Sequence, residues 1–182
     1  MLRNLQDDEL IALATSGQRS AFGELVRRHA PSLRALLRRM GAQPMVVDDI
    51  AQDAFLIAFE RIDTFRGEGA FGAWLNRIAV RLYVKRLRVD SRMQYLDDLQ
   101  LESLAVSDDS GGKVIDLDRA LVSLSAGERL CVSLCHGAGW SHSEIAVQLR
   151  LPIGTVKSHI KRGLDKLKQR LGAGFTQESG DA

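Results

Sequence analysis

The chain has 182 residues, of which 45% are hydrophobic and 26% charged, and its formal net charge is +2. This composition fits one medium or two small globular domains and excludes a disordered chain. Aromatic residues make up only 5%, which gives β-structure little support. No apolar run approaches the ~20 residues of a membrane span, the N-terminus lacks the apolar core of a signal peptide, and two cysteines make no disulfide framework. We therefore expect a mostly helical, cytoplasmic protein without membrane insertion.

Charge is distributed unevenly along the chain. Residues 66–92 contain seven basic side chains against two acidic ones, and residues 150–170 contain seven against Asp165 alone. Between these zones, residues 95–118 carry seven acidic side chains and a single lysine. Two basic zones that flank an acidic connector indicate two contacts with a polyanion.

Helical periodicity predicts four helices in the N-terminal half. The first two cover residues 5–16 and 18–40, and the second is expected to be interrupted near Pro31. The third runs from Val47 to Ile62 and buries one apolar face. The fourth follows a break at two glycines and runs from about Phe71 to Arg88.

The stretch SDDSGGK at residues 107–113 is the clearest linker, flexible through serine and glycine and extended by its acids. About four further helices are predicted after it, and the C-terminal tail is expected to be unstructured. The sequence thus predicts an all-α fold of two small helical domains, joined by a flexible acidic linker, with a helix-turn-helix in the second. The predicted boundaries are a domain at 1–92, a linker at 93–114, a domain at 115–172 and a disordered tail at 173–182.

The stretch WSHSEIAVQLRLPIGTVKSHIKRG predicts the helix-turn-helix. Ser141 and Glu144 have the spacing of a capping box, which starts the short first helix. Pro152 suits the first turn of the second helix, where its missing N–H is no loss. The apolar residues of that second helix are predicted to face inward: Val156, Ile160, Leu164, Leu167 and Leu171.

The outward face of the second helix combines a helix N-terminus, small residues and long cations. Backbone amides beside small residues can meet a phosphate, and long cations can reach base edges in the major groove. A helical hairpin with a purely structural role would not need this division of faces. We therefore predict that DNA is bound by Gly154, Thr155, Lys157, Ser158, Lys161 and Arg162.

Two long stretches resemble a known family in their order along the chain. Residues 124–171, which include GTVKS, resemble the promoter −35-binding domain of bacterial sigma factors of the extracytoplasmic-function group. Residues 46–88 resemble the domain of those proteins that docks on core RNA polymerase and opens the −10 element. GTVKS alone is shared with response-regulator domains, whereas the ordered pair is much more specific. The resemblance implies a non-enzymatic alternative sigma factor that directs promoter-specific initiation, without a cofactor, and has core RNA polymerase, promoter DNA and an anti-sigma factor as partners.

The helix that begins at Val47 carries a polar patch opposite its apolar stripe. Asp49, Gln52 and Asp53 stand at positions i, i+3 and i+4, so they share one face. The resemblance implies that this patch, together with Asp48, binds the basic coiled coil of the polymerase clamp.

Residues 65–88 resemble the family's −10 module, in which a loop captures a base flipped from the non-template strand and a basic helix grips the backbone. Flipping a base costs about a few kcal/mol, so the site needs cations and a shaped pocket. At their helical spacing, Phe71 and Trp74 are predicted to be core rather than stacking residues. The resemblance implies a −10 site composed of Arg66, Gly67, Glu68, Arg77, Arg81, Lys85, Arg86 and Arg88.

Four positions depart from the family's usual residues. Arg81 and Lys85 stand where asparagine and aspartate are common, which favours phosphate contact over base reading. Arg150 stands where glycine is frequent, and a positive φ there would cost about 1 kcal/mol. His159 replaces a usual arginine in the predicted −35 surface, where it would make a weaker contact at neutral pH.

Three other interpretations of the sequence compete with a sigma factor. A helix-turn-helix regulator that does not dock on polymerase is one, although residues 1–90 lack the βα alternation of a receiver domain. An enzyme is disfavoured because no nucleophile elbow, P-loop or dinucleotide fingerprint is present, and we assign no catalytic residue. A metal or redox sensor could use the cluster Cys131, Cys135, His136 and His142. Buried free cysteines are common in core helices, so we predict no metal site.

Overall fold

The computed structural model describes residues 2–65, 67, 70–89 and 113–176, except for the side chains of residues 113–116 and 172–176. Every regular element among these residues is a helix, as the all-α prediction requires. The chain divides into two compact units. The first comprises the residues up to Arg38 and Ala42–Arg86, and the second comprises Arg39–Gly41 and the chain from Leu87 onward.

Four α-helices form the N-terminal part, and a short 3-10 helix at Ile62–Thr64 follows the third. They are α1 (Asp7–Thr15), α2 (Arg19–Arg39), α3 (Pro44–Glu60) and α4 (Phe71–Val89). The predicted interruption near Pro31 is wrong, because α2 continues through this residue. The buried stripe of α2, with Leu25, Leu33 and Leu37 fully inaccessible, outweighs the roughly 3 kcal/mol that an interior proline costs.

The core of the first unit lies between the apolar faces of its helices. The predicted face of α3 is confirmed by the burial of Ile50, Ala51, Ala54, Phe55 and Ala58. Phe59 lies at the border of this face and is 38% exposed, with its ring centroid 5.0 Å from that of Phe22. Helix α4 buries Phe71, Leu75 and Val80, so its opposite side is left for solvent.

Helices α5 (Lys113–Val122), α6 (Ala126–Val132), α7 (His142–Leu149) and α8 (Ile153–Thr176) form the second unit. Helix α8 contacts the other three, and the core of the unit includes Leu121, Leu124, Val132 and Leu167. Of the linker predicted at 93–114, residues 93–112 lie outside the described residues. Helix α8 ends at Thr176, so it continues past residue 173, where a disordered tail is predicted to begin.

Two of the four α-helices described in the second unit start with a capping box. In the predicted one, the Glu144 amide donates to Ser141 Oγ at 3.2 Å, and the Ser141 amide donates to Glu144 Oε2 at 2.8 Å. A second capping box joins Ser125 and Glu128 at the start of α6, with the corresponding distances 3.3 and 3.1 Å. Its sequence signal is the same S-x-x-E spacing, but it was not predicted.

The turn of the helix-turn-helix contains a strained residue. Arg150 follows α7 with φ 54° and ψ 37°, in the left-handed region. L-residues other than glycine rarely adopt this conformation, because Cβ approaches the following carbonyl. A positive φ was considered for Arg150 because glycine is frequent at this position in the family, and the observed φ confirms it.

Candidate functional site

The first half of α8 presents the predicted −35 residues together on the surface. Val156 and Ile160 are buried on the opposite face, as the helical period requires. We call the surface the −35 face; it consists of Gly154, Thr155, Lys157, Ser158, Lys161 and Arg162, of which all are exposed except the half-buried Thr155.

His159 does not belong to the −35 face. Its side chain is only 6% exposed and packs against Gly127, where an added Cβ would lie 3.0 Å from the imidazole Cε1. The predicted DNA contact is therefore wrong. Residue 159 follows Val156 by three positions and so lies on the inner side of the helix. The imidazole Nδ1 instead lies 3.2 Å from Nη2 of Arg162.

A buried carboxylate lies behind the −35 face and was not predicted. Glu128 is 3% exposed and accepts hydrogen bonds from Lys166 Nζ at 2.7 and 3.0 Å. Burial acts to raise the pKa of Glu128, but the hydrogen bonds from Lys166 and from the Ser125 amide outweigh it and hold the pKa below its usual value. The carboxylate is therefore charged at neutral pH.

The predicted polar patch of α3 is exposed as a group: Asp48, Asp49, Gln52 and Asp53. Arg34 Nε of α2 lies 2.8 Å from Asp48 Oδ1, and Arg86 Nη1 of α4 lies 3.2 Å from Asp49 Oδ2. Pairs this exposed contribute at most about 1 kcal/mol, so their main effect is on side-chain orientation. Asp53 makes no ion pair with any described residue.

Two exposed apolar side chains border this patch and were not predicted from the sequence. Met45 is 78% exposed and Leu56 is 57% exposed. Met45 stands one turn before Asp49, and Leu56 one turn after Asp53. Their signal in the sequence was an apolar residue placed off the buried stripe. We call Met45, Asp48, Asp49, Gln52, Asp53 and Leu56 the clamp patch.

Exposed cations follow one side of α4. Arg77, Arg81 and Lys85 are exposed at four-residue intervals, so they form a row along the helix, which we call the α4 ridge. None of the three pairs with a carboxylate among the described residues. Arg86 and Arg88, assigned to the same −10 surface, are half-buried.

The loop before α4 is described only in part. Gly67 is exposed with φ 72°, whereas Arg66 and Glu68 of the predicted −10 site lie outside the described residues. Phe65 reaches across the loop ends, with its ring centroid 5.9 Å from Phe71 and 5.4 Å from Trp74. Phe71 is 2% exposed, as predicted for a core residue, and Trp74 is half-buried.

The two cysteines have the environment of core residues. Cys131 is fully buried, and burial raises the pKa of its thiol to about 12. Burial also raises the pKa of Cys135, which is partly accessible. Because the thiolate is the reactive and metal-binding form, these environments disfavour both roles. Within the described ranges, no three His, Cys, Asp or Glu side chains cluster as metal ligands.

Two family models match the chain: Sigma-70 region 2 over residues 25–93 and Sigma-70 region 4 over residues 120–169. The first covers the clamp patch and the α4 ridge, and the second covers the −35 face. A region 2 followed by a region 4 defines the class as sigma-70-type transcription initiation factors. The match to region 2 rejects a helix-turn-helix regulator that does not dock on polymerase.

Individual relatives identify the group within that class. The ECF RNA polymerase sigma factor SigM of Mycobacterium tuberculosis is 34% identical over 169 residues, which cover 91% of this chain and 85% of SigM. The RNA polymerase sigma factor CnrH of Cupriavidus metallidurans is 33% identical, covering 92% of this chain and 95% of CnrH. The chain belongs to the ECF RNA polymerase sigma factors. It is an alternative sigma factor that binds core RNA polymerase and directs promoter-specific transcription initiation.

Solved structures agree with this membership. The structure of CnrH in complex with the cytosolic domain of CnrY matches with a TM-score of 0.52 and 31% identity, covering 92% of this chain and 97% of CnrH. The sigma factor RpoE of Bartonella quintana, in complex with the anti-sigma factor NepR, matches with a TM-score of 0.55 and 27% identity. The match covers 83% of this chain and 96% of RpoE. None of the described helices combines the length and apolar character that a membrane span requires.

Proposed function

We propose that this sigma factor divides its work among three surfaces. The clamp patch docks on core RNA polymerase, the α4 ridge and the loop before it bind and open the −10 element, and the −35 face reads the −35 element. The chain contributes binding and positioning while the polymerase performs the chemistry, so we assign it no enzymatic activity. Because polymerase and promoter DNA are its partners, its place of action is the cytoplasm.

The observation that carries this proposal is the chemical contrast between the surfaces. The clamp patch combines carboxylates with two exposed apolar side chains, Met45 and Leu56. The α4 ridge and the −35 face are instead dominated by cations, although each has one exposed apolar neighbour, Val89 after Lys85 and Ile153 before Gly154. Exposed apolar side chains beside polar ones suit a protein–protein interface, whereas rows of exposed cations suit phosphate contact.

The α4 ridge is suited to the displaced strand of an open promoter. Arg81 and Lys85 are four residues apart on one exposed face, so they repel mildly unless an anion lies between them. A phosphate can satisfy both cations at once. The loop at Gly67 lies at the N-terminal end of this row, where a flipped base can enter.

The −35 face offers two kinds of contact. Gly154 and Thr155 lie in the first turn of α8, where free backbone amides can meet a phosphate. Lys157, Lys161 and Arg162 are long enough to reach base edges in the major groove. Arg162 can bond a guanine with two donors, so its loss should relax specificity rather than affinity alone.

An inhibitory partner is part of the proposal. CnrH and RpoE have been solved with the cytosolic domain of CnrY and with the anti-sigma factor NepR, respectively. We infer that an anti-sigma factor also regulates this chain, by covering the clamp patch, the −35 face or both. The two surfaces belong to different compact units, so a partner can cover one of them without the other.

Charge reversal tests the docking surface. Asp49→Lys/Asp53→Lys should abolish co-elution with core polymerase in size exclusion while leaving the helical content by circular dichroism intact. The matched control is Asp8→Lys/Asp63→Lys, which makes the same charge change at two exposed carboxylates outside the patch and should co-elute normally. Unchanged binding of the Asp49/Asp53 variant would reject the clamp assignment.

A further inference from the structure

Glu128, a buried carboxylate of α6, pairs with two exposed cations of α8. Its side chain is 4% exposed, whereas Arg162 and Lys166 are 58% and 48% exposed. Arg162 Nε lies 3.4 Å from Glu128 Oε1, and Lys166 Nζ lies 2.7 Å from Oε2. The Ser125 amide also donates to Oε2, at 3.1 Å. One buried carboxylate therefore meets two cations of the recognition helix and the start of its own helix.

Arg162 is held from two sides. Glu128 lies at its Nε, and His159 Nδ1 lies 3.2 Å from its Nη2. A guanidinium has five N–H donors in one plane, so these two contacts fix the plane and leave other donors directed toward solvent. Bidentate contact with a guanine depends on the orientation of that plane. The holding contacts therefore prepare Arg162 for base reading.

The scaffold behind this contact is tightly packed. A Cβ on Gly163 would lie 2.7 Å from Val132 Cγ2 and 3.5 Å from Glu128 Cβ. A Cβ on Gly127 would lie 3.0 Å from the His159 ring. Both glycines let α6 approach α8 closely, which keeps Glu128 and His159 beside Arg162.

We propose that Glu128 is a positioning residue for −35 recognition: it orients Arg162 from inside the domain and offsets the charge of Lys166. The inference rests on the proposed function of the −35 face. It assigns specificity to a residue that cannot itself touch DNA. It also gives two neighbouring lysines different roles. Lys166 donates to both Glu128 oxygens, whereas the exposed Lys168 has no ion pair among the described residues.

The test measures base discrimination by the holoenzyme. The probe is a promoter fragment found by run-off transcription with core polymerase, together with fragments that carry each single base change in the −35 element. Glu128→Gln keeps the size of the side chain and removes its charge. We expect discrimination at the position read by Arg162 to fall about fivefold or more, since a bidentate contact is worth ~1–3 kcal/mol. In an Arg162→Ala background, Glu128→Gln should change discrimination no further.

Glu144→Gln is the matched control, because it alters the equivalent capping box of α7 without touching Arg162. Its discrimination should equal that of the wild type. If Glu128→Gln fails to fold by circular dichroism, Glu128→Asp retains a carboxylate but withdraws it from Arg162, and the same loss is expected.

The results distinguish failure of the positioning role from failure of base reading by Arg162. If Arg162→Ala relaxes discrimination and the folded Glu128 variants do not, the positioning role is rejected and the −35 face stands. If Arg162→Ala leaves discrimination unchanged at every position, base reading by Arg162 is rejected, and the role of Glu128 with it. Additive effects of Glu128→Gln and Arg162→Ala at that position would also overturn the positioning role.

Discussion

Arg150 is in a backbone conformation that favours glycine, with φ 54°. Arg150→Gly should raise the stability of the second unit by about 0.5–1 kcal/mol, because the strain is removed while glycine's larger unfolded-state entropy offsets part of the gain. The urea midpoint can be followed by the fluorescence of the buried Trp140, in a Trp74→Phe background. Arg150→Ala keeps Cβ and is the control: it should show no gain, and equal gains for both variants would contradict the strain.

Glu24 predicts a pH dependence of stability. Its carboxylate accepts from Arg27 Nε at 2.9 Å and from Arg28 Nε at 3.1 Å. The hydrogen bonds from Arg27, with those from Arg28, lower the pKa of Glu24 from 4.5 to about 2, against the effect of burial. The pKa of Glu24 is therefore lower in the folded protein than in the unfolded chain. The stabilisation by these hydrogen bonds is complete above the pKa of the unfolded chain and is lost as the pH falls toward the pKa of the folded protein.

Glu24→Gln should therefore be less stable than the wild type at pH 7. The difference between the two urea midpoints should shrink as the pH falls from 4.5 toward 2, because the unfolded Glu24 takes up a proton in that range while the native carboxylate stays largely ionised. Glu60→Gln, which alters an exposed carboxylate at the end of α3, serves as the control. A difference that is constant between pH 7 and pH 2 would show that the ion pair does not contribute.

His159 and Glu128 show where residue-level prediction fails. We inferred that His159 is exposed because the family usually has an arginine at this position. Its spacing of three residues from Val156 instead places it on the buried side of α8. Glu128 has the sequence signal of a capping box, which indicates its hydrogen bond with the Ser125 amide. Its contacts with Lys166 and Arg162 join residues 38 and 34 positions away. No local pattern encodes such a tertiary pairing.

Helices α6 and α8 meet where Gly163 has no side chain. Gly163→Ala should destabilise the second unit, because its Cβ would lie 2.7 Å from Val132 Cγ2 and valine is stiff at χ1. Overpacking costs ~1–3 kcal/mol, and better helix propensity returns at most ~1 kcal/mol, so we expect a net loss of up to about 2 kcal/mol.

Gly154→Ala is the matched control on the same helix. A Cβ at Gly154 has no neighbour within 4 Å, so stability without DNA should be unchanged or slightly raised. Both variants can be compared by urea unfolding. Equal stabilities would mean that α6 moves away from α8 without cost.

At the level of elements, periodicity predicted the helices and their buried faces, because an apolar stripe is a local property of the sequence. The apolar face of α3 and the inward residues of α8 followed from spacing alone. The continuity of α2 through Pro31 did not, because it depends on burial against other helices. The end of α8 at Thr176 also differs from the predicted tail boundary at residue 173.

For the whole molecule, the net charge of +2 conceals the functional organisation. The charge zones and the paired resemblance were sufficient to predict a sigma factor, and both family models confirm it. The position of the polar patch on α3 was predictable from its i, i+3, i+4 spacing. The apolar members of the clamp patch, Met45 and Leu56, required knowledge of which side of α3 is exposed.

The α4 ridge predicts that promoter opening depends steeply on salt. Arg81→Asn/Lys85→Asn removes two exposed cations that pair with no described carboxylate. Each phosphate contact to a single strand contributes about 0.7 to the slope of log affinity against log salt. Because Arg81 and Lys85 share one phosphate, losing that contact should flatten the slope for open-complex formation by about 0.7. Permanganate footprinting of the −10 region at several salt concentrations measures this slope.

The control for that experiment is Arg19→Asn/Arg38→Asn, which removes the same charge from exposed arginines of α2 outside the ridge. Its slope should remain within about 0.3 of the wild-type slope, because salt screens charges that lie far from the DNA.

The ridge variant should also open −10 mutants with a sharper base preference, because attraction to the DNA backbone no longer compensates for an unfavourable base. If the ridge variant keeps both the slope and the preference, the two cations are only solvated, and the loop around Gly67 alone recognises the −10 element.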